Sequence, residues 1–98
     1  MLKTNHYVYD HAGNPRELGN EVARGGEGCI YKLKNKSSIQ LLIKIYHDRK
    51  KAEKLEPKIE QMVKVSKNIE RDWIAWPLVM VYDRIGSFIG YVMKEKPG

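Results

Sequence analysis

The chain has 98 residues, 42% of them hydrophobic and 31% charged, with a formal net charge of +6. That length supports one small domain, and that hydrophobic content excludes a disordered tail. The single cysteine, Cys29, excludes an internal disulfide framework, and no Cys/His grouping has zinc spacing.

Tyr7-Val8-Tyr9 combines aromatic and β-branched residues and predicts a short strand. The run from Asp10 to Pro15 is dense in turn formers. Glu17 to Ala23 follows as a second strand with Leu18 and Val22 facing inward, so a small hairpin stands in front of the first glycine cluster.

Ala23-Arg24-Gly25-Gly26-Glu27-Gly28-Cys29-Ile30-Tyr31 is a glycine-rich bend entering a strand that runs from Cys29 to Lys34. Bare glycine backbone lets consecutive N–H groups point at a bound anion such as a phosphate. Asn35-Lys36-Ser37-Ser38 is a hairpin turn. Ile39 to Tyr46 is then an almost continuously apolar strand, which implies burial on both faces between neighbours and under a helix. Lys44 sits in its middle. A lysine there costs free energy unless an anion meets its ammonium group. The bend and the lysine together form a candidate phosphate cradle with a cationic clamp.

Arg49 to Lys67 is rich in Lys and Glu, with Ala52, Leu55, Ile59, Met62 and Val63 spaced along one helical face. Asp48 is a suitable N-cap. Pro57 inside that pattern predicts an irregular first turn and a firm helix from Pro57 to Ser66. After a polar connection at Lys67 to Asp72, Ile74 to Tyr82 reads as a strand that Pro77 places at an edge or a bulge. Asp83-Arg84-Ile85-Gly86 is a turn, and Ser87 to Met93 pairs back as the last strand. Lys94 to Gly98 resembles a linker. Propensity alone gives a small α+β domain.

Ala23 to Lys44 resembles the start of a protein kinase. The family pattern G-x-G-x-x-G-x-V falls on Ala23, Gly25, Gly28 and Ile30, and its V-A-I-K strand on Leu41, Leu42, Ile43 and Lys44. With Gly26-Glu27-Gly28-Cys29-Ile30-Tyr31, Lys44-Ile45-Tyr46, Ala75-Trp76-Pro77 and Gly90-Tyr91-Val92-Met93, the chain is similar to a bacterial serine/threonine kinase-like group. The resemblance implies an N-terminal lobe: a curled five-stranded antiparallel sheet with one main helix, here with an extra short N-terminal strand or hairpin, as a single domain over 1–98 without the second lobe.

It also implies ATP as ligand. Lys44 would hold the α- and β-phosphates, oriented by a helix carboxylate, Glu56 or Glu60. The nucleotide would lie among Val22, Ala23, Gly25, Gly26, Gly28, Ile30, Leu42, Lys44 and Met93. Two positions depart from the pattern: Ala23 replaces the first glycine, and Leu42 replaces the small alanine that makes room for adenine. Glu53 is a third helix acid, and a different helix register would put the cation Lys58 in the carboxylate's place. No His-Arg-Asp or Asp-Phe-Gly segment occurs. Those segments supply the base and the Mg²⁺ ligands, so this chain alone is expected to be inactive, and Mg²⁺ would enter only with a second lobe.

The alternative is a non-catalytic binding module. Its partner would be a protein, a second copy through the surface a missing lobe leaves uncovered, or nucleic acid through Lys50, Lys51, Lys54, Lys58, Lys64 and Lys67. A solvated basic helix face is the simpler reading of those lysines, so nucleic acid is not the expected partner. Trp73 and Trp76 read as packing residues. The lone cysteine suits a reducing cytoplasm, and no apolar run reaches membrane-spanning length.

Overall fold

The computed structural model describes residues 7–34, 40–65 and 76–94. The turn expected at 35–38, the connection at 67–72, Trp73 and the tail at 95–98 lie outside the described residues. The element order is β1 (Tyr7–Tyr9), β2 (Pro15–Arg24), β3 (Gly28–Leu33), β4 (Leu41–Tyr46), α1 (Arg49–Val65), β5 (Val79–Tyr82) and β6 (Phe88–Lys94).

The six strands form a closed antiparallel barrel in the order β1-β2-β3-β4-β6-β5. The expected curled five-stranded sheet of the kinase N-terminal lobe, with its extra N-terminal strand, is therefore corrected to a closed six-stranded barrel. Tyr7–Tyr9 is not an appendage in front of a sheet. It pairs with β2 through Tyr7↔Glu17, Val8↔Arg16 and Tyr9↔Pro15, and on its other side with β5 through Tyr9↔Tyr82. The last pair converts the two outer edges of an open sheet into a seam, and β5 loses the edge position that Pro77 had suggested. Pro77 instead precedes the strand, where its missing N–H costs no ladder bond.

Alternation along the strands builds two cores. Val8, Leu18, Cys29, Tyr31, Leu33, Ile43, Val81 and Val92 point into the barrel. Tyr46, Met80 and Phe88 point outward and are covered by Ala52 and Ile59 of α1, with Leu55, Met62, Val63, Tyr82 and Tyr91 around them. β4 thus contributes to both cores, as its apolar run requires. The Tyr46 ring packs against Phe88 and Tyr91 at centroid distances of 6.1 and 6.3 Å, in tilted and edge-on arrangements that aromatic quadrupoles favour. Full burial of a side chain such as Ile59 stabilises by about 1.5–3 kcal/mol.

Two strand glycines permit this close packing. A β-carbon on Gly28 would overlap the Ile45 carbonyl oxygen, and one on Gly90 would overlap that of Lys44.

The helix begins at Arg49 rather than at Pro57. The Asp48 carboxylate accepts from the Lys50 N–H at 2.9 Å, and the Asp48 carbonyl accepts from Ala52 at 3.0 Å, which satisfies donors that a helix start leaves free. Pro57 lies on the exposed side; it forfeits its own backbone bond and its ring crowds the carbonyl four residues earlier, while the apolar stripe on the other side remains continuous. At the far end the Trp76 indole N–H donates to the Met62 carbonyl at 2.9 Å. Among the described residues no helix is long and apolar enough to cross a membrane.

Candidate phosphate-binding groove

The β2–β3 reversal is short because Ala23 faces Ile30 and Arg24 faces Cys29, leaving the four residues Gly25-Gly26-Glu27-Gly28 to turn the chain. The Gly25 N–H donates to the Gly28 carbonyl at 2.9 Å. Neither Gly25 nor Gly26 has a positive φ, and a β-carbon on either would meet nothing within 4 Å. Turn geometry and packing therefore do not demand glycine at these two positions. Their backbone is bare on the open side.

β4 brings Lys44 to this loop. Ile30 is directly opposite Lys44, and Lys44 is opposite Tyr91 on the other side, so Ala23, Ile30, Lys44 and Tyr91 form one row on the outer face. A groove of about 370 Å³ is lined by Ala23, Arg24, Gly25, Gly26, Glu27, Gly28, Ile30 and Lys44. Six of the residues named from sequence meet here: Ala23, Gly25, Gly26, Gly28, Ile30 and Lys44.

Three others do not line the groove. Val22, expected inward, lies in a register irregularity of β2 and is 46% exposed. The bulge re-aims its side chain away from the core. Leu42 is half-buried one pleat beyond Lys44, opposite Lys32 and Met93, and Met93 is buried.

The anion that meets Lys44 comes from the loop itself. Lys44 Nζ lies 2.8 Å from Glu27 Oε1, and Lys51 Nζ lies 3.9 Å from Glu27 Oε2. Lys44 also stands 5.3 Å from the centre of the Tyr46 ring, within cation–π range. The hydrogen bond from Lys44 and then its charge hold the Glu27 carboxyl below the usual glutamate range; Lys51 and Lys58 add to this, and desolvation opposes it. Glu60 pairs with Lys64 at 3.9 Å. Glu56 and Glu60 both act on the Tyr82 phenol, which burial first and then these two charges push up. Neither helix acid is the observed partner of Lys44.

Sequence reasoning missed Glu27, Lys51 and His47. Glu27 is the one acid between Glu21 and Asp48, a signal available from the sequence. His47 holds the loop: its N–H donates to the Glu27 carbonyl at 2.8 Å, and its ring Nε2 lies 2.9 Å from the Gly25 carbonyl oxygen. Such a tether has no local sequence pattern.

A larger groove, about 460 Å³, is lined by Tyr9, Asp10, His11, Gly13, Tyr82, Asp83, Arg84 and Gly86. Its acids are occupied. Asp10 accepts from the Ala12 and Asn14 N–H groups and pairs with Arg16, while Asp83 accepts from Ile85 and Ser87 and pairs with Arg49. Those contacts build two hairpin turns. Among the described residues no three His, Cys, Asp or Glu side chains gather as a metal site.

No family model matches the chain. No solved structure matches it either. The chain is 31% identical over 98 residues to a protein from Escherichia coli (strain K12) described as "Protein kinase YegI"; the similarity covers 99% of this chain and 15% of that protein. This supports a kinase-like relationship in sequence and no more.

Proposed function

We propose that this chain is the nucleotide-binding portion of a kinase-like protein. It grips the phosphates of ATP between the bare backbone of Gly25 and Gly26 and the ammonium group of Lys44. The observation that carries this reading is the placement of Lys44. Its side chain is 21% exposed and is directed at the glycine bend, where it already holds a carboxylate oxygen at 2.8 Å. An ammonium group kept from most solvent and set beside an exposed turn with no side chains at Gly25 and Gly26 suits a polyanion. The sequence similarity to a kinase-named protein agrees with it.

Transfer of phosphate is assigned to segments this sequence does not contain, so the chain acts by binding. Its partner in that role is the remainder of a longer kinase-like protein, and Mg²⁺ would be held chiefly there.

Titration of ATP against the wild-type chain and Lys44→Ala, with thermal melting to confirm that both are folded, tests the reading. Binding that drops at least tenfold in the variant is expected. Equal affinity would remove Lys44 from the site and the reading with it.

A further inference from the structure

We infer that Glu27 is an internal competitor for the ligand: its carboxylate occupies the anion position beside Lys44 and Lys51, and a phosphate enters by displacing it. This rests on the phosphate reading of the groove and adds a regulatory property to it.

The two carboxylate oxygens face different lysines, Oε1 towards Lys44 at 2.8 Å and Oε2 towards Lys51 at 3.9 Å. Lys58 also acts on the same carboxylate. One negative charge therefore faces Lys44 from β4 and Lys51 from the first turn of α1, with the charge of Lys58 two turns further along the helix also acting on it. A triphosphate carries more charge and more acceptor oxygens than a single carboxylate, so it satisfies this cluster better. The first turn of α1 carries Arg49, Lys50 and Lys51 and no acid, which adds positive charge to the positive end of the helix dipole.

Glu27 can leave. Its side chain is 48% exposed, and its carboxylate is held by lysines alone among the contacts the structure gives it. The backbone beneath it stays put, because His47 fixes the loop at the Glu27 carbonyl and beside the Gly25 carbonyl. Side-chain rotation thus opens the site without unfolding the turn. While the pair is closed, apparent affinity falls by the fraction of molecules in the open state.

The test is titration of the 98-residue chain with ATP, inorganic tripolyphosphate and inorganic phosphate, comparing wild type, Glu27→Gln, Lys44→Ala and the double variant, each checked by thermal melting. Glu27→Gln keeps size and polarity and removes the charge. It should tighten ATP and tripolyphosphate binding by roughly two- to tenfold, the range set by a partly exposed ion pair. The gain should be larger for the triphosphates than for phosphate, and absent when Lys44 is also replaced. Unchanged or weaker binding by Glu27→Gln, with Lys44 dependence retained, would overturn the competitor role and leave the phosphate reading standing. A gain that persists without Lys44 would reduce Glu27 to a general charge effect and also overturn it. Absence of Lys44-dependent binding in both wild type and Glu27→Gln would overturn both.

Discussion

Gly90 lies against the backbone of Lys44 so closely that a β-carbon on it would overlap the lysine carbonyl oxygen. The residue that bears the candidate ligand contact is thereby pinned from the β6 side. Replacement by alanine must push β6 from β4. Gly90→Ala should cost about 1–3 kcal/mol or more, a drop of several degrees in melting temperature for a domain this size. Gly26→Ala is the control, since open space surrounds that position. Its stability should change by no more than about 0.5 kcal/mol, while ATP binding weakens. Thermal melting and ATP titration of the pair separate the two kinds of glycine. A Gly26→Ala chain that binds ATP as well as wild type would remove the bare backbone from the proposed cradle.

Pro57 interrupts the backbone ladder of a helix that is otherwise continuous from Arg49 to Val65. It lies exposed, so alanine in its place restores one N–H donor without disturbing the packed face. Pro57→Ala should stabilise the domain by about 1–3 kcal/mol, from the helix-interior cost of proline. Ile59→Ala, two residues on and 6% exposed, should destabilise by about 2–5 kcal/mol. Chemical denaturation of both variants checks the opposite signs. A Pro57→Ala chain less stable than wild type would mean that the ring packs better than its exposure indicates.

Burial, with smaller contributions from Tyr91 and Glu27, pushes the Tyr46 phenol up from 10.0 to about 12. Below pH 10 the phenol is protonated in the folded and unfolded states alike. As pH rises from 10 towards about 12, the unfolded chain releases its proton while the folded chain keeps it. The unfolded state is then favoured, and stability falls through that window. Melting temperature followed across alkaline pH should decline more steeply in wild type than in Tyr46→Phe. Parallel declines would assign the loss to other groups, such as Tyr31, Tyr82 and Tyr91, whose phenols burial also raises.

Leu42 is one pleat from Lys44 on the outer face and opposite Met93. Under the proposed nucleotide reading, with the kinase-like resemblance putting the base on this side of Lys44, its bulk would crowd adenine. Leu42→Ala should tighten ATP binding severalfold while leaving inorganic tripolyphosphate unchanged, since only the nucleotide carries a base. Equal changes for the two ligands would show that Leu42 acts through the strand rather than on adenine.

Local pattern carried the elements further than it carried their assembly. The aromatic triplet Tyr7-Val8-Tyr9, the apolar run ending at Tyr46 and the three-and-four spacing from Ala52 to Val63 all mark elements the structure contains. Closure of the barrel was not legible, because the pairing of Tyr9 with Tyr82 joins residues distant in the chain and has no period of its own. Pro57 misled for a different reason. Its effect on the backbone is local, but the packing of Ala52, Leu55 and Ile59 holds the helix through it. At the groove, residue types gave the bend and Lys44, while the partner depended on tertiary geometry. Helix acids were expected from the resemblance; the hairpin register that sets Gly28 beside Tyr46 instead delivers Glu27.

Among the described residues, Tyr9–Tyr82 is the pair that joins β1 to β5, so this seam is narrow. Opening it would release two unpaired strand borders at once, each able to template the addition of a further chain. Conditions that fray the first strand should therefore drive polymerisation before global unfolding, and a brace across that join would protect the protein in concentrated solution.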